Sequence, residues 1–172
     1  MAICCLHAHW EGFIKAAATG YVSFVATRGL RYRDLSPNFV ALGIRSKIMV
    51  AAQSNSATMH TELTAYLLSD LSDHANIDWE RSINTQANLN SKVLREILCV
   101  LGLNDKEYLT KGALIDQKLL DNRNKIAHGE NLPIDENDYD QLYDEIIQLA
   151  ERLRTDIENA AALQNYRRYV AT

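Results

Sequence analysis

The sequence predicts an all-α protein: an antiparallel helical bundle of about five to six helices forming one domain over residues 1–172. Three observations carry this reading. Apolar residues recur at three- and four-residue intervals along most of the chain, the signature of helices with one buried face. Only 2 prolines and 7 glycines interrupt 172 residues, and no period-two strand pattern, internal repeat or low-complexity tract is present. The length is sufficient for one hydrophobic core without disulfide or metal staples.

Each element follows from the residues in order. Ile3, Leu6, Trp10, Phe13, Ala17, Tyr21 and Phe24 predict a first helix from about Ile3 to Thr27, ended by Gly29. His7, Glu11 and Lys15 form a polar i, i+4, i+8 stripe on it, with Glu11 and Lys15 spaced for a surface ion pair. Residues 28–35 form a basic connection. Ser36-Pro37 reads as an N-cap followed by a first-turn proline, opening a helix to about Met49. After the polar break at Gln53–Ser56, Met59, Leu63, Tyr66 and Leu67 mark a shorter helix. Residues 70–88 are mixed and polar, the longest expected loop and a place where a partner or substrate orders the chain. Asn90 or Ser91 opens a helix that points Val93, Leu94, Ile97, Leu98 and Leu101 inward and stops at Gly102. A further helix runs from about Gly112 to His128. Gly129, Pro133 and Asp135 separate it from a last helix, about 136–165, which buries Tyr139, Leu142, Ile146, Leu149, Leu153 and Ile157.

Charge is unevenly distributed. The chain carries 18 Lys and Arg against 22 Asp and Glu, a formal net charge of −4. Residues 1–60 hold six basic and two acidic side chains (6 − 2 = +4), leaving 12 − 20 = −8 for residues 61–172. This balance argues against a general nucleic-acid coat and allows a local basic surface. Arg28, Arg31 and Arg33 are candidates for contact with an RNA backbone, followed by Arg45 and Lys47; Tyr166, Arg167, Arg168 and Tyr169 are further candidates unless they belong to a frayed terminus. Cys4, Cys5 and Cys99 are too few and too oddly placed for a disulfide framework, which fits a reducing compartment. No apolar run reaches membrane-spanning length and no secretory signal is evident, so no membrane association and a cytoplasmic location are expected.

The segment Arg123-Asn124-Lys125-Ile126-Ala127-His128-Gly129 concentrates the chemistry. Histidine exchanges a proton near neutral pH, and arginine is a permanent cation whose fork of donors fits phosphate oxygens. Together they suit phosphoryl-transfer chemistry on RNA. The ribose 2′-hydroxyl loses a proton and attacks phosphorus, the leaving 5′-oxygen gains one, and the charge on the phosphorane is balanced. One His and one Arg are half of such a site; a homodimer apposing two motif helices would supply two of each. Positions five apart on an ideal helix lie about 140° apart, so Arg123 and His128 converge only if arginine curls round the frayed last turn. The alternative reading is structural: basic side chains at the negative end of a helix dipole.

The stretch Leu119 to Gly129 resembles the signature of the HEPN superfamily, helical bundles marked by Arg, four to six residues, then His. Ala8-His9-Trp10-Glu11-Gly12-Phe13-Ile14-Lys15 is similar to the opening helix of a prokaryotic group of that superfamily associated with toxin and phage-defence loci. The resemblance implies a homodimeric, metal-independent endoribonuclease with its site across the dimer interface. It implies Arg123 as the phosphate-stabilising residue, His128 as acid and base, and Asn124 as a group orienting the histidine or the substrate. Lys125, Glu11 and Lys15 would support the cleft, Glu11 by orienting Arg123. The implied partners are RNA and an antitoxin or defence-system protein. Some HEPN toxins carry a tyrosine two residues after the histidine, where a nucleotidyltransferase antitoxin modifies it; Glu130 occupies that position here, which does not support that mode of neutralisation. The other reading is a non-catalytic HEPN-like interaction or nucleotide-binding module.

No cofactor or metal site is expected. Cys5 and His9, or Cys4 and His7, lack a second ligand pair at zinc-like spacing. The chain has no phosphate-binding glycine loop, H-E-x-x-H or serine-nucleophile motif.

Overall fold

The computed structural model describes residues 2–69, 71–86, 88–130 and 135–168. Among these the regular structure is helical: α1 (Ala2–Ala26), a 3₁₀ turn (Tyr32–Asp34), α2 (Pro37–Gly43), α3 (Arg45–Ala52), α4 (Ala57–Leu68), α5 (Ser91–Leu101), α6 (Lys106–Leu109), a π-helix (Leu114–Asp121), α7 (Asn122–Ala127) and α8 (Glu136–Ala162). The protein is all-α, as its apolar spacing predicts. Pro133 and Tyr169 lie outside the described residues.

Four long elements surround the core. Trp10, Ile14, Ala18 and Val22 of α1 meet Leu94 and Leu98 of α5, Ile115 and Leu119 of the π-helix, and Ile146 and Leu153 of α8. Fully burying one such side chain contributes about 1.5–3 kcal/mol. The buried face of α1 is wider than the expected stripe: Phe13, Ala17 and Phe24 are only partly covered, while His7, Ile14, Ala18, Val22 and Val25 are buried. The reason is that α1 packs on α5, the π-helix, α7 and α8 together, so partners cover both flanks of the stripe.

Polar bonds lock these elements in register. Asn90 caps α5 by accepting from the Val93 N–H at 2.8 Å, as its position predicts. The Asp116 carboxylate of the π-helix accepts from both the Ser91 N–H and the Ser91 hydroxyl, each at 2.6 Å. Lys111, just before the π-helix, donates to Glu145 of α8 at 2.6 Å. Tyr108 donates to Asp156 at 2.7 Å, and burial together with that carboxylate pushes its hydroxyl pKa upward.

Three segments differ from expectation. The helix expected from Ser36 to Met49 breaks at Gly43–Ile44, where Ile44 leaves helical geometry (φ −100°, ψ 7°) and is buried. The Tyr32 ring lies against Gly43, within 2.5 Å of where a Cβ would stand, so only glycine fits there without displacing the ring. Ser36 makes no side-chain cap; its hydroxyl donates to Asn38 Oδ1 instead. Residues 71–75 are already ordered by the protein itself. They pair with residues 30–33 through Tyr32 N–H to the Asp73 carbonyl (3.0 Å), Arg33 N–H to Leu71 (3.0 Å) and Ala75 N–H to Leu30 (2.9 Å).

Candidate active site

The helix expected over 112–128 is not α-helical throughout. Residues 114–121 form a π-helix and α7 continues from Asn122. In a π-helix residues five apart stack, because each bond spans i to i+5, and Ile115 and Leu120 are both buried at that interval. The wider turns rotate α7 relative to an unbroken α-helix. In the resulting register Arg123 and Asn124 are half-buried and α7 packs on α1.

Arg123 donates from Nη1 to Asn124 Oδ1 at 2.8 Å. Asn124 therefore holds the arginine, and neither the histidine nor a position facing it. No carboxylate pairs with Arg123 among the described residues. Nor does any hydrogen bond join Arg123 to His128, in keeping with their angular separation. Glu11 does not bond to Arg123: its Oε1 accepts from the Thr85 hydroxyl at 2.5 Å and its Oε2 lies 3.9 Å from His7 Nδ1. The Glu11–Lys15 ion pair does not form; Lys15 is exposed. Lys125 is also exposed, without an ion pair among the described residues.

His128 ends α7, exposed, with φ −85° and ψ 6°. Its N–H donates to the Asn124 carbonyl at 3.0 Å. The Gly129 N–H reaches Ile126 at 3.0 Å and the Glu130 N–H reaches Lys125 at 3.0 Å. These two bonds are the 5→2 and 6→1 pair of a Schellman motif. Gly129 takes φ +80°, and nothing lies within 4 Å of where a Cβ would stand, so its requirement is conformational and not steric. A side chain there would cost roughly 1–2 kcal/mol. The glycine after the histidine thus has a physical role: it closes the helix so that the imidazole stands at its open end.

Behind this site lies a residue that spacing places on a polar surface. His7 is 2% exposed, its Nε2 has no hydrogen-bond partner among the described residues, and the same is true of the indole N–H of Trp10. Burial, then the Arg123 charge, lower the His7 pKa, while Glu11 acts in the opposite direction. A lowered pKa makes the imidazole neutral at neutral pH, so its contact with Glu11 is polar and not an ion pair. The signal in the sequence is position: His7 lies one turn from both Ile3 and Trp10, on the apolar side of α1.

The other candidates are separated from this cluster along the chain. Arg28, Arg31 and Arg33 are exposed, and the Arg28 guanidinium lies 4.0 Å from the Phe24 ring centroid. Arg45 and Lys47 line a groove of about 870 Å³ with Tyr66, His74 and Arg81, but Asp73 and Asp78 line it too. Residues 166–168 are not frayed: Tyr166 is buried and its carbonyl accepts the Ser36 N–H at 2.8 Å. All three cysteines are free. No group of three or more His, Cys, Asp and Glu side chains suited to a metal occurs among the described residues, and no described helix is long and apolar enough to cross a membrane.

No curated protein and no solved structure matches this chain. The family model described as RiboL-PSP-HEPN matches residues 1–159, covering both the α1 block and the motif that ends at His128. The chain therefore belongs to the RiboL-PSP-HEPN family, within the HEPN superfamily.

Proposed function

We propose that the protein is a metal-independent endoribonuclease, a HEPN-type toxin or defence effector, acting as a homodimer and held in check by a partner protein. The observation that carries this reading is the setting of Arg123: half-buried, hydrogen-bonded to a neutral amide, and without a carboxylate among the described residues. A guanidinium held in this way keeps its charge and donors for an incoming phosphate. His128, exposed at the closed end of the same helix, supplies the proton chemistry.

One His128 takes the ribose 2′-proton as the O2′–P bond forms. The partner's His128 gives a proton to O5′ as the P–O5′ bond breaks, leaving a 2′,3′-cyclic phosphate and a 5′-hydroxyl. Two Arg123 side chains stabilise the equatorial oxygens. Lys125 and Lys15 add positive charge beside the strand. Glu11, fixed by Thr85, maintains the polar wall behind Arg123. Arg28, Arg31 and Arg33 contact RNA away from the scissile bond.

The test incubates wild-type and His128→Ala proteins with mixed cellular RNA in excess EDTA and determines the new 3′ ends. Cyclic-phosphate ends from the wild type, falling by about 10²–10⁴-fold in the variant, are expected. A fully active variant, or an inert wild type, refutes the proposal.

One observation favours a second reading, a non-catalytic interaction module. Ile48, Met49, Val50, Leu67 and Leu68 are all exposed on α3 and α4, which is more apolar surface than isolated side chains would give. An inert protein that binds one specific protein through these residues supports that reading.

A further inference from the structure

The fold joins two basic segments that are more than a hundred residues apart in sequence. Leu35 forms an antiparallel bridge with Arg167, the Arg168 N–H donates to the Asp34 carbonyl at 3.0 Å, and the Ser36 N–H donates to Tyr166 at 2.8 Å. On the other side, Arg31 forms an antiparallel bridge with His74. Phe24 lies between the two segments: Arg28 stacks on its ring at 4.0 Å, and Tyr166 meets it edge-on with centroids 5.9 Å apart. Arg28, Arg31, Arg167 and Arg168 are all exposed and none has an ion pair among the described residues. With Arg33, five arginines stand against Asp34 and Asp73 on these strands, an excess of three positive charges.

We propose that Arg28, Arg31, Arg167 and Arg168 form a preorganised docking surface for an RNA phosphate backbone, built apart from Arg123 and His128. It rests on the ribonuclease reading only for the identity of the polyanion. Main-chain bonds fix three of these residues and ring stacking fixes the fourth, so little ordering is needed when phosphates arrive. Guanidinium groups donate to phosphate oxygens in pairs. A protein partner would need an apolar centre to its interface. None of the exposed large apolar side chains falls within residues 27–36 or 166–168. The neighbouring groove, with Asp73 and Asp78 in its wall, is less suited to phosphate than this arginine face.

The experiment measures binding of a labelled 2′-O-methyl single-stranded oligonucleotide, which 2′-hydroxyl attack cannot cleave, across a salt series. The proteins are wild type, a quadruple variant (Arg28→Gln, Arg31→Gln, Arg167→Gln, Arg168→Gln), a triple variant that retains the Arg28 stack, and a control (Arg95→Gln, Arg154→Gln). Circular dichroism confirms that each is folded. The quadruple variant is expected to weaken binding at least about tenfold and to flatten the log–log salt slope by about 0.7 for each phosphate no longer engaged. The triple variant should show most of that effect and the control none. Unchanged affinity and slope in the quadruple variant overturn the proposal. So does displacement of the oligonucleotide by poly-glutamate at equal charge, which would assign the face to an acidic protein. An arginine-dependent slope in a protein that fails to cleave RNA removes the ribonuclease reading and leaves this surface standing. His128-dependent cleavage with wild-type binding by the quadruple variant does the reverse.

Discussion

α4 and α5 are helices of similar length with apolar residues at similar intervals, yet α5 buries Val93, Leu94, Ile97, Leu98 and Leu101 while α4 buries nothing. The difference lies in what packs on them. α5 packs on α1, α2 and α6, whereas α4 packs chiefly on α3, whose one buried residue is Ala51. Leu68 at the end of α4 is 82% exposed. Three- and four-residue spacing thus reports that a segment is helical and amphipathic; it does not report whether the chain itself supplies the covering surface. The same contrast separates the two halves of the candidate site. Arg123 is held within the packed side of the molecule, while His128 is held by main-chain bonds at an exposed helix end.

The contrast can be broken most forcefully in the core. Leu119→Ala removes a fully buried side chain of the π-helix and should cost about 2–5 kcal/mol in chemical denaturation; a change below about 1 kcal/mol would mean that the π-helix is not anchored as described. A smaller effect concerns His7. Its folded pKa lies below the ordinary 6.5, so as pH falls the unfolded chain binds a proton first. Stability should decline with acidification from about pH 6.5 down to the lowered folded value, and level off below it. His7→Leu should flatten that decline; a slope identical to wild type would assign it to another group. The smallest effect belongs to the hairpin of α3 and α4. Leu68→Gln should change stability by no more than about 0.5 kcal/mol, and a larger drop in a concentration-dependent melt would show that another copy covers this face.

These differences also explain what the sequence conveys and what it does not. α1, α5 and α8 are legible because each runs for three turns or more with one dominant apolar face. Arg123 and His128 are legible as residue types at a spacing that suits the chemistry. The π-helix is not, since no residue type marks a shift from i+4 to i+5 bonding and the apolar pattern of Ile115, Leu119 and Leu120 fits both. Helical spacing assigns Asn124 to His128, whereas its bond to the adjacent Arg123 depends on rotamers that spacing does not encode. Glu11 pairs with Lys15 by spacing, but its hydroxyl partner, Thr85, comes from a segment that reads as loop. The composite arginine face needs the bridge between Leu35 and Arg167, a pairing across nearly the whole chain.

The π-helix gives the site an unusual genetic property. Substitutions within residues 114–121 act mainly on packing, but removing one residue would let the run relax towards α-helix and turn everything beyond it by about 100°. Arg123 would swing off α1 while every residue of the R-N-x-x-x-H-G motif remained present. The site is therefore more vulnerable to a change in the number of residues preceding it than to most changes in their identity.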